Sequence, residues 1–175
     1  MSNQRGFTLT ELLVACAVLG IVMAGLVTLQ QQGQAAYLVG AARAEVQQNA
    51  RHAVEMLTTE LRFAQAVTAV GAGCGTGPVP TGGGATSITF TDQGGAAVVY
   101  QLAGTDLQRD GAVVVGGVET LRIWCFDAAG ALTTVPANVR AVHLQVSTQT
   151  EAGVAAYHDR NQHALYTGRA RLRNL

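Results

Sequence analysis

The feature that most constrains this chain is an uncharged apolar run of 18 residues, 12–29. As an α-helix it would measure about 27 Å, close to the roughly 30 Å of hydrocarbon in a bilayer. Residues 1–6, which precede it, are polar and carry one positive charge, on Arg5. A cleaved secretory signal has its cleavage site after the apolar region, whereas the candidate cleavage site here lies before it. We therefore expect the run to remain in the mature protein as a membrane span.

The charges on either side of this run predict its orientation. Arg5 lies on the amino side, and the next charges, Arg43 and Glu45, follow well past the run. Positive residues near a span favour the cytoplasmic side. We expect a single crossing, with a cytoplasmic amino end and most of the chain in the periplasm or outside.

The residues after the span predict a long helix. From residue 30 to about residue 70 there is no proline, and apolar residues recur at steps of three and four, which is typical of one amphipathic stripe. Joined to the span, this makes a helix of about 60 residues, roughly 90 Å long. We expect it to end near Gly71. The stripe consists of Leu38, Ala42, Val46, Ala50, Ala53, Leu57, Leu61, Ala64 and Val67.

The remainder of the chain predicts a loop followed by strands. Residues 71–84 are rich in Gly, Pro and Thr, which indicates an irregular loop. Six later segments are rich in Val, Thr and aromatic residues, and Asp- and Gly-containing turns separate several of them. The expected fold class is α+β, with the long helix packed against a largely antiparallel sheet. The predicted strands are 87–91, 97–102, 112–115, 118–126, 140–150 and 167–172.

Composition argues against several functions. All eleven basic residues are Arg, so a Walker A lysine and a Schiff-base lysine are excluded. Eleven acidic residues balance them, so no overall field attracts nucleic acid. Arg169, Arg171 and Arg173 form a basic cluster whose alternation is typical of a solvated strand face. We expect no nucleic-acid binding, no cofactor and no small-molecule substrate.

The segment Gly6-Phe7-Thr8-Leu9-Thr10-Glu11 joins the polar leader to the apolar run. A small residue, an aromatic residue and a lone Glu directly before a span resemble the processing motif of type IV prepilins and type II secretion pseudopilins. The resemblance implies a pilin fold, cleavage after Gly6 by a prepilin peptidase and methylation of the Phe7 amine. Thr10 departs from the pattern, since an aliphatic residue is commoner there. The chain also lacks the proline that many major pilins carry in this helix.

Scattered later segments resemble PilW-type minor pilins and J-type minor pseudopilins, in the same order along the chain. This resemblance implies a low-copy structural subunit that helps to initiate or cap a type IV pilus. A minor pseudopilin of a type II secretion system is the alternative. Implied partners are other pilins or pseudopilins, the prepilin peptidase, the inner membrane and a separate assembly ATPase. The segments are 51–57, 60–62, 88–90, Tyr100, 107–109, 117–118 and 172–175.

These expectations divide the chain into four parts: a leader peptide at 1–6, a transmembrane and assembly helix at 7–30, its amphipathic continuation at 31–70, and a periplasmic β-sheet domain at 71–175. The mature protein is expected first in the inner membrane and then in a pilus or pseudopilus.

Glu11 is the ionisable residue at the lip of the span. A carboxylate in lipid costs a few kcal/mol on insertion scales, which indicates a function, although a side chain that reaches back to water is the alternative. On a continuous helix its carboxylate would lie one turn from the Phe7 amine. We expect it to pair with that amine, or with the amine of a neighbouring subunit, during assembly.

The cysteines and histidines offer few candidate sites. Cys16 lies in the span, whereas Cys74 and Cys125 lie in the exported part, and we expect these two to form a disulfide in an oxidising compartment. These two cysteines alone do not make a zinc site. The stretch 158–163 contains two His and one Asp and could bind a metal, but a solvated loop between the last two strands is the favoured interpretation because nothing fixes the ligand geometry. We expect no metal site.

Two rival functions come from other classes. The chain could be a signal-anchored periplasmic binding module, which would keep an uncleaved amino terminus. It could also be an anchored hydrolase built from distant His, Asp and Ser residues, since such residues need only meet in space. His52 and His143 have no suitable sequence neighbour, and the small aliphatic composition provides little to line a substrate pocket. We therefore expect no enzyme and no catalytic residue.

Overall fold

The computed structural model describes residues 6–150 and 162–173. Its described part contains one long helix, α1 (Leu9–Phe63), a short 3-10 turn (Pro136–Asn138) and eight strands. The chain divides into two compact units, Met1–Ala41 and Ala42–Leu175. The α+β class predicted from the sequence is confirmed.

The first unit is the amino-terminal part of α1. Every residue from 6 to 34 is exposed, including the Leu, Val and Ile side chains of the apolar run. Thr28, a polar residue in this run, donates its hydroxyl to the carbonyl of Gly25 at 2.7 Å, so this polar group is satisfied within the helix. Among the described residues, α1 is the one helix long and apolar enough to cross a membrane.

The part of α1 in the second unit carries the predicted stripe. The buried helix residues recur at steps of three and four from Val46 to Leu61, which confirms the amphipathic pattern there, whereas Leu38 is exposed. They are Val46, Ala50, Ala53, Val54, Leu57, Thr58 and Leu61.

The expected end of the helix was wrong. α1 ends at Phe63, and residues 66–70, which were assigned to the helix, form strand β1 (Ala66–Val70). Val67 is buried, as the stripe requires, but it pairs with Phe90 of the next strand. Pairing with that strand provides hydrogen-bond partners for the backbone N–H and C=O groups of this segment, which contains Val and Thr. This gain outweighs the weak helical preference of the segment.

The strands form two antiparallel sheets, not the single sheet expected. The first contains β1 to β5 in chain order, and the second contains β6, β7 and β8. The two sheets separate at Gly117, between β5 and β6. Its φ of 68°, which glycine adopts readily, lets the chain turn out of the first sheet before β6 begins. The remaining strands are β2 (Ser87–Thr91), β3 (Ala97–Ala103), β4 (Asp106–Arg109), β5 (Ala112–Val115), β6 (Val118–Phe126), β7 (Ala141–Gln149) and β8 (His163–Arg171).

The core of the second unit lies between α1 and both sheets. Leu57 and Leu61 of the helix share a buried cluster with Phe90 of the first sheet and Leu144 of the second. At Gly168 of β8 an added Cβ would lie 2.8 Å from Cγ2 of Thr58, so the absence of a side chain permits close packing of this strand against the helix. Three aromatic residues, Phe90, Tyr100 and Trp124, are fully buried, so the core is less purely aliphatic than its composition suggested.

The predicted irregular loop at 71–84 is confirmed and is attached to β6. Cys74 and Cys125 form a disulfide, with 5.2 Å between their Cα atoms. The indole Nε1 of Trp124 donates to the carbonyl of Gly82 at 3.1 Å, and Arg122 donates to the carbonyl of Thr81 at 3.0 Å. These bonds hold a loop with little regular structure against the second sheet.

Candidate processing and assembly site

The residues on either side of the expected cleavage point are open to solvent. Gly6 and Phe7 both precede α1, and Phe7 is 82% exposed. A Cβ added to Gly6 would meet no atom within 4 Å. The part of the chain that the structure describes therefore does not itself require a glycine at this position.

Thr8 and Glu11 form a capping box at the start of α1. The Oγ1 of Thr8 accepts a hydrogen bond from the backbone N–H of Glu11 at 3.3 Å. In return, Oε2 of Glu11 accepts the backbone N–H of Thr8 at 3.0 Å and its hydroxyl at 2.9 Å. This reciprocal arrangement satisfies N–H groups that have no partner within the helix, and it places a negative charge at the positive end of the helix dipole.

The capping box was not predicted, although its signature is present in the sequence. A Thr followed three residues later by a Glu, directly before an apolar run, is the standard pattern. The position where α1 begins also corrects the expectation that the Phe7 amine and the Glu11 carboxylate lie one helical turn apart. Phe7 lies before the first helical residue, Leu9, so in this unprocessed chain Phe7 and Glu11 are not related by one turn of continuous helix.

The candidate metal-binding stretch, 158–163, lies only in part within the described residues. The described residues contain no group of three or more His, Cys, Asp and Glu side chains able to hold a metal ion. Residues 158–161 of the candidate stretch lie outside the described residues. Nδ1 of His163, which ends this stretch, lies 3.3 Å from Oε2 of Glu119 across the second sheet. Cys16 is exposed on α1.

His143 and His52, the two isolated histidines, differ in their surroundings. His143 packs against the ring of Trp124, with centroids 5.7 Å apart, and burial together with the nearby charge of Arg169 lowers its pKa. His52 is exposed on α1. No hydrogen bond within the described residues joins either imidazole to a Ser or Cys side chain, so the described part shows no nucleophile and base pair built on them.

Comparison with known families bears on the amino-terminal segment. Residues 1–27 match the model of the prokaryotic N-terminal methylation motif. The chain carries a type IV pilin-like prepilin motif. This prepilin motif includes Gly6, Phe7, the capping box and most of the apolar run. Together with the α+β fold it indicates a pilin- or pseudopilin-type protein, a structural and not a catalytic class. No curated protein matches the chain.

Proposed function

We propose that this chain is a minor pilin, a structural subunit that helps to initiate or cap a type IV pilus. The observation that carries the proposal is the prepilin motif at residues 1–27, which includes the start of a helix whose residues are apolar and exposed. Exposed apolar surface of this extent needs lipid or other apolar surfaces around it. A membrane before assembly, and neighbouring helices afterwards, supply such surroundings.

The proposal assigns a role to each part of the chain. A prepilin peptidase removes the leader 1–6 by cutting between Gly6 and Phe7, and the new Phe7 amine is methylated. The segment from residue 7 to residue 30, which contains the start of α1, spans the inner membrane with its amino end in the cytoplasm. The folded domain, beginning in the second half of α1, lies in the periplasm and later on the fibre surface.

The exposed Gly6 supports cleavage at this point. Because none of the described residues would contact a side chain at residue 6, an external requirement can explain the glycine, and a peptidase pocket that admits little bulk provides one. Phe7 is exposed and lies outside regular helix, so its peptide bond is accessible to an enzyme.

Glu11 is proposed as the assembly residue. In the unprocessed chain its carboxylate is used to cap α1. After cleavage the amine of Phe7 acquires a charge, and an incoming subunit presents the same group to a neighbour. Attraction between unit charges about 4 Å apart is near 1 kcal/mol in water and several times larger where water is scarce. Pairing with Glu11 therefore strengthens as the helix enters an apolar fibre core.

The alternative within this class is a minor pseudopilin of a type II secretion system. Both assemblies use the same motif and helix, so the partners distinguish them. The test is to express an affinity-tagged full-length chain in its native cells and to identify the prepilin-type proteins that co-purify after mild cross-linking. Recovery with type IV pilus subunits and in the sheared fibre fraction supports the proposal, whereas recovery with pseudopilins and a secretion apparatus supports the alternative.

A further inference from the structure

An open cavity at one end of the second sheet collects five arginines. Its volume is about 1110 Å³, and its walls come from the last turn of α1, the turn after β6, the start of β7, and the end of β8 with the residues after it. The arginines are Arg62, Arg140, Arg169, Arg171 and Arg173, which we call the arginine pocket.

The pairing of β7 with β8 brings these distant positions together. Ala141 pairs with Arg171 and His143 with Arg169, which places both β8 arginines near the start of β7, next to Arg140. The backbone N–H of Arg173 donates to the carbonyl of Arg62 at 3.3 Å, which attaches the residues after β8 to the last turn of α1. The basic cluster seen in the sequence is thus only part of a larger positive surface.

Little negative charge offsets these arginines. Among the described residues, none of the five has an ion-pair partner, whereas Arg51 pairs with Glu55, and Arg109 with Glu60 and Asp110, elsewhere in the domain. Arg140 donates to the carbonyls of Ala137 and Val139 at 2.9 and 3.0 Å. Arg169 lies over the ring of Phe126, with 5.7 Å from Cζ to the centroid.

Asp127 is the acidic residue in the lining, and its carboxylate is already engaged. Its Oδ1 accepts the backbone N–H groups of Ala129 and Ala131, each at 2.9 Å, which holds the turn after β6. Among the residues that the structure describes in the lining, one carboxylate faces five guanidinium groups, so this part of the pocket carries a net positive charge. Because the chain has as many acidic as basic residues, this concentration of charge is not imposed by composition.

The chemistry of the pocket selects an anionic ligand. Guanidinium groups bind carboxylate and phosphate oxygens through paired, charge-assisted hydrogen bonds, and clusters of arginines recognise acidic motifs. Arg140 is half-buried, and the other four arginine side chains are exposed and can reach a ligand. A cavity of about 1110 Å³ is larger than a single small anion needs, and it has room for a chain segment.

The shape of the pocket favours a peptide over the other polyanions. A concave site does not fit the flat surface of a bilayer. Single-stranded nucleic acid is usually held on a row of open aromatic faces, whereas the lining contains one aromatic residue, Phe126, over which Arg169 already lies. The geometry points to a binding site for a carboxylate-rich segment of a partner protein. This goes beyond the proposed structural role and does not depend on cleavage at Gly6.

The experiment uses the purified full-length chain in detergent and a fluorescently labelled oligoglutamate peptide as the probe. Fluorescence anisotropy should show saturable binding that weakens as salt is raised, because exposed charges are screened. An oligoglutamine peptide of the same length should not bind. The double variant Arg169→Gln with Arg171→Gln should raise the Kd roughly tenfold, since it removes two of the five guanidinium groups that would bind carboxylates, and exposed ion pairs each contribute modestly.

A matched control has the same loss of charge outside the pocket. Arg43→Gln with Arg51→Gln changes two exposed arginines of α1 and should leave the Kd close to that of the unchanged chain. Equal melting temperatures would show that both double variants are folded. The inference is overturned by absence of oligoglutamate binding, by equal binding of oligoglutamine, or by an unchanged Kd in the pocket variant. Tighter, pocket-dependent binding of an oligothymidine strand would also overturn it, in favour of nucleic acid.

Discussion

The side chain of Glu11 accepts both the backbone N–H and the hydroxyl of Thr8, at 3.0 and 2.9 Å, immediately before the apolar run begins. The carboxylate proposed to guide assembly therefore already has a local role, which is to cap α1. A mutation of Glu11 would remove two functions at once unless the substitutions are chosen to separate them.

Glu11→Gln and Glu11→Leu are expected to leave cleavage and membrane insertion intact but to impair recruitment into the fibre or its initiating complex. Gln can still serve in a capping box, so the Gln variant removes the charge and keeps most of the cap. Leu removes both. Co-purification of each tagged variant with its partner pilins measures the effect.

Thr8→Ala is the matched control for Glu11. It removes the capping hydroxyl, at a cost of about 1 kcal/mol to the helix start, and it keeps the carboxylate. We expect this variant to assemble nearly as well as the unchanged chain. If both Glu11 variants assemble at the unchanged level, or if Thr8→Ala fails as badly as they do, the charge of Glu11 is not what assembly requires.

The disulfide between Cys74 and Cys125 should contribute substantially to the stability of the domain. It joins residues separated by 51 positions, and closing a loop of this length stabilises by up to roughly 4 kcal/mol in the chain-entropy model. Cys74→Ser with Cys125→Ser should therefore lower the free energy of unfolding in urea, whereas Cys16→Ser should not. Thiol labelling of the unreduced protein provides a direct check, and two reactive thiols in the domain would contradict the bond.

Gly168 is expected to tolerate no side chain, because β8 lies close to α1 there. A Cβ would lie 2.5 Å from Cγ1 of Val54 and 2.8 Å from Cγ2 of Thr58. Gly168→Ala should destabilise the domain by about 1–3 kcal/mol, as overpacking does. Adding Val54→Ala should recover part of this loss, so that the double variant costs less than the sum of the two single variants. Simple additivity in urea unfolding would argue against the contact.

Tyr100 provides a prediction with a pH dependence. Its hydroxyl is buried and makes no hydrogen bond among the described residues, although Glu60 and Arg109 are near enough to influence it. Burial first, and then the carboxylate of Glu60, raise the pKa of Tyr100 well above its ordinary value of 10.0. In the unfolded chain this tyrosine ionises near pH 10, so folding stability present below pH 10 is lost as the pH rises further.

Tyr100→Phe should remove this alkaline loss of stability. At neutral pH the variant should be nearly neutral or slightly stabilising, because it deletes a buried hydroxyl that has no partner. Urea unfolding of both proteins at neutral pH and above pH 10 tests this. A large destabilisation by Phe at neutral pH would show that the hydroxyl has a partner after all.

Much of the fold could be predicted because the patterns were long and regular. The stripe from Val46 to Leu61 and the strands on either side of the turns follow from apolar spacing. The end of α1 could not be predicted, because Ala64 and Val67 continue the helical spacing, although Ala64 follows the helix and Val67 lies in β1. β4 is short and contains Asp106 and Arg109, so its pairing with β3 is what defines it as a strand.

The candidate sites also differ in whether the sequence alone could predict them. The processing motif and the capping box are local, and both can be recognised within residues 6–11. The arginine pocket could not be predicted, since Arg62, Arg140 and Arg169 are far apart in sequence. Their meeting depends on the exact register of β7 with β8 and on where α1 ends.

The most direct test of the central claim is the intact mass of the native protein, purified from membranes of cells with an active prepilin peptidase. We expect a chain that begins at Phe7 and carries one additional methyl group. Cells without the peptidase, or a Gly6→Val variant, should retain the leader. An unprocessed terminus at Met1 in peptidase-containing cells would contradict the account and would favour the signal-anchored binding module.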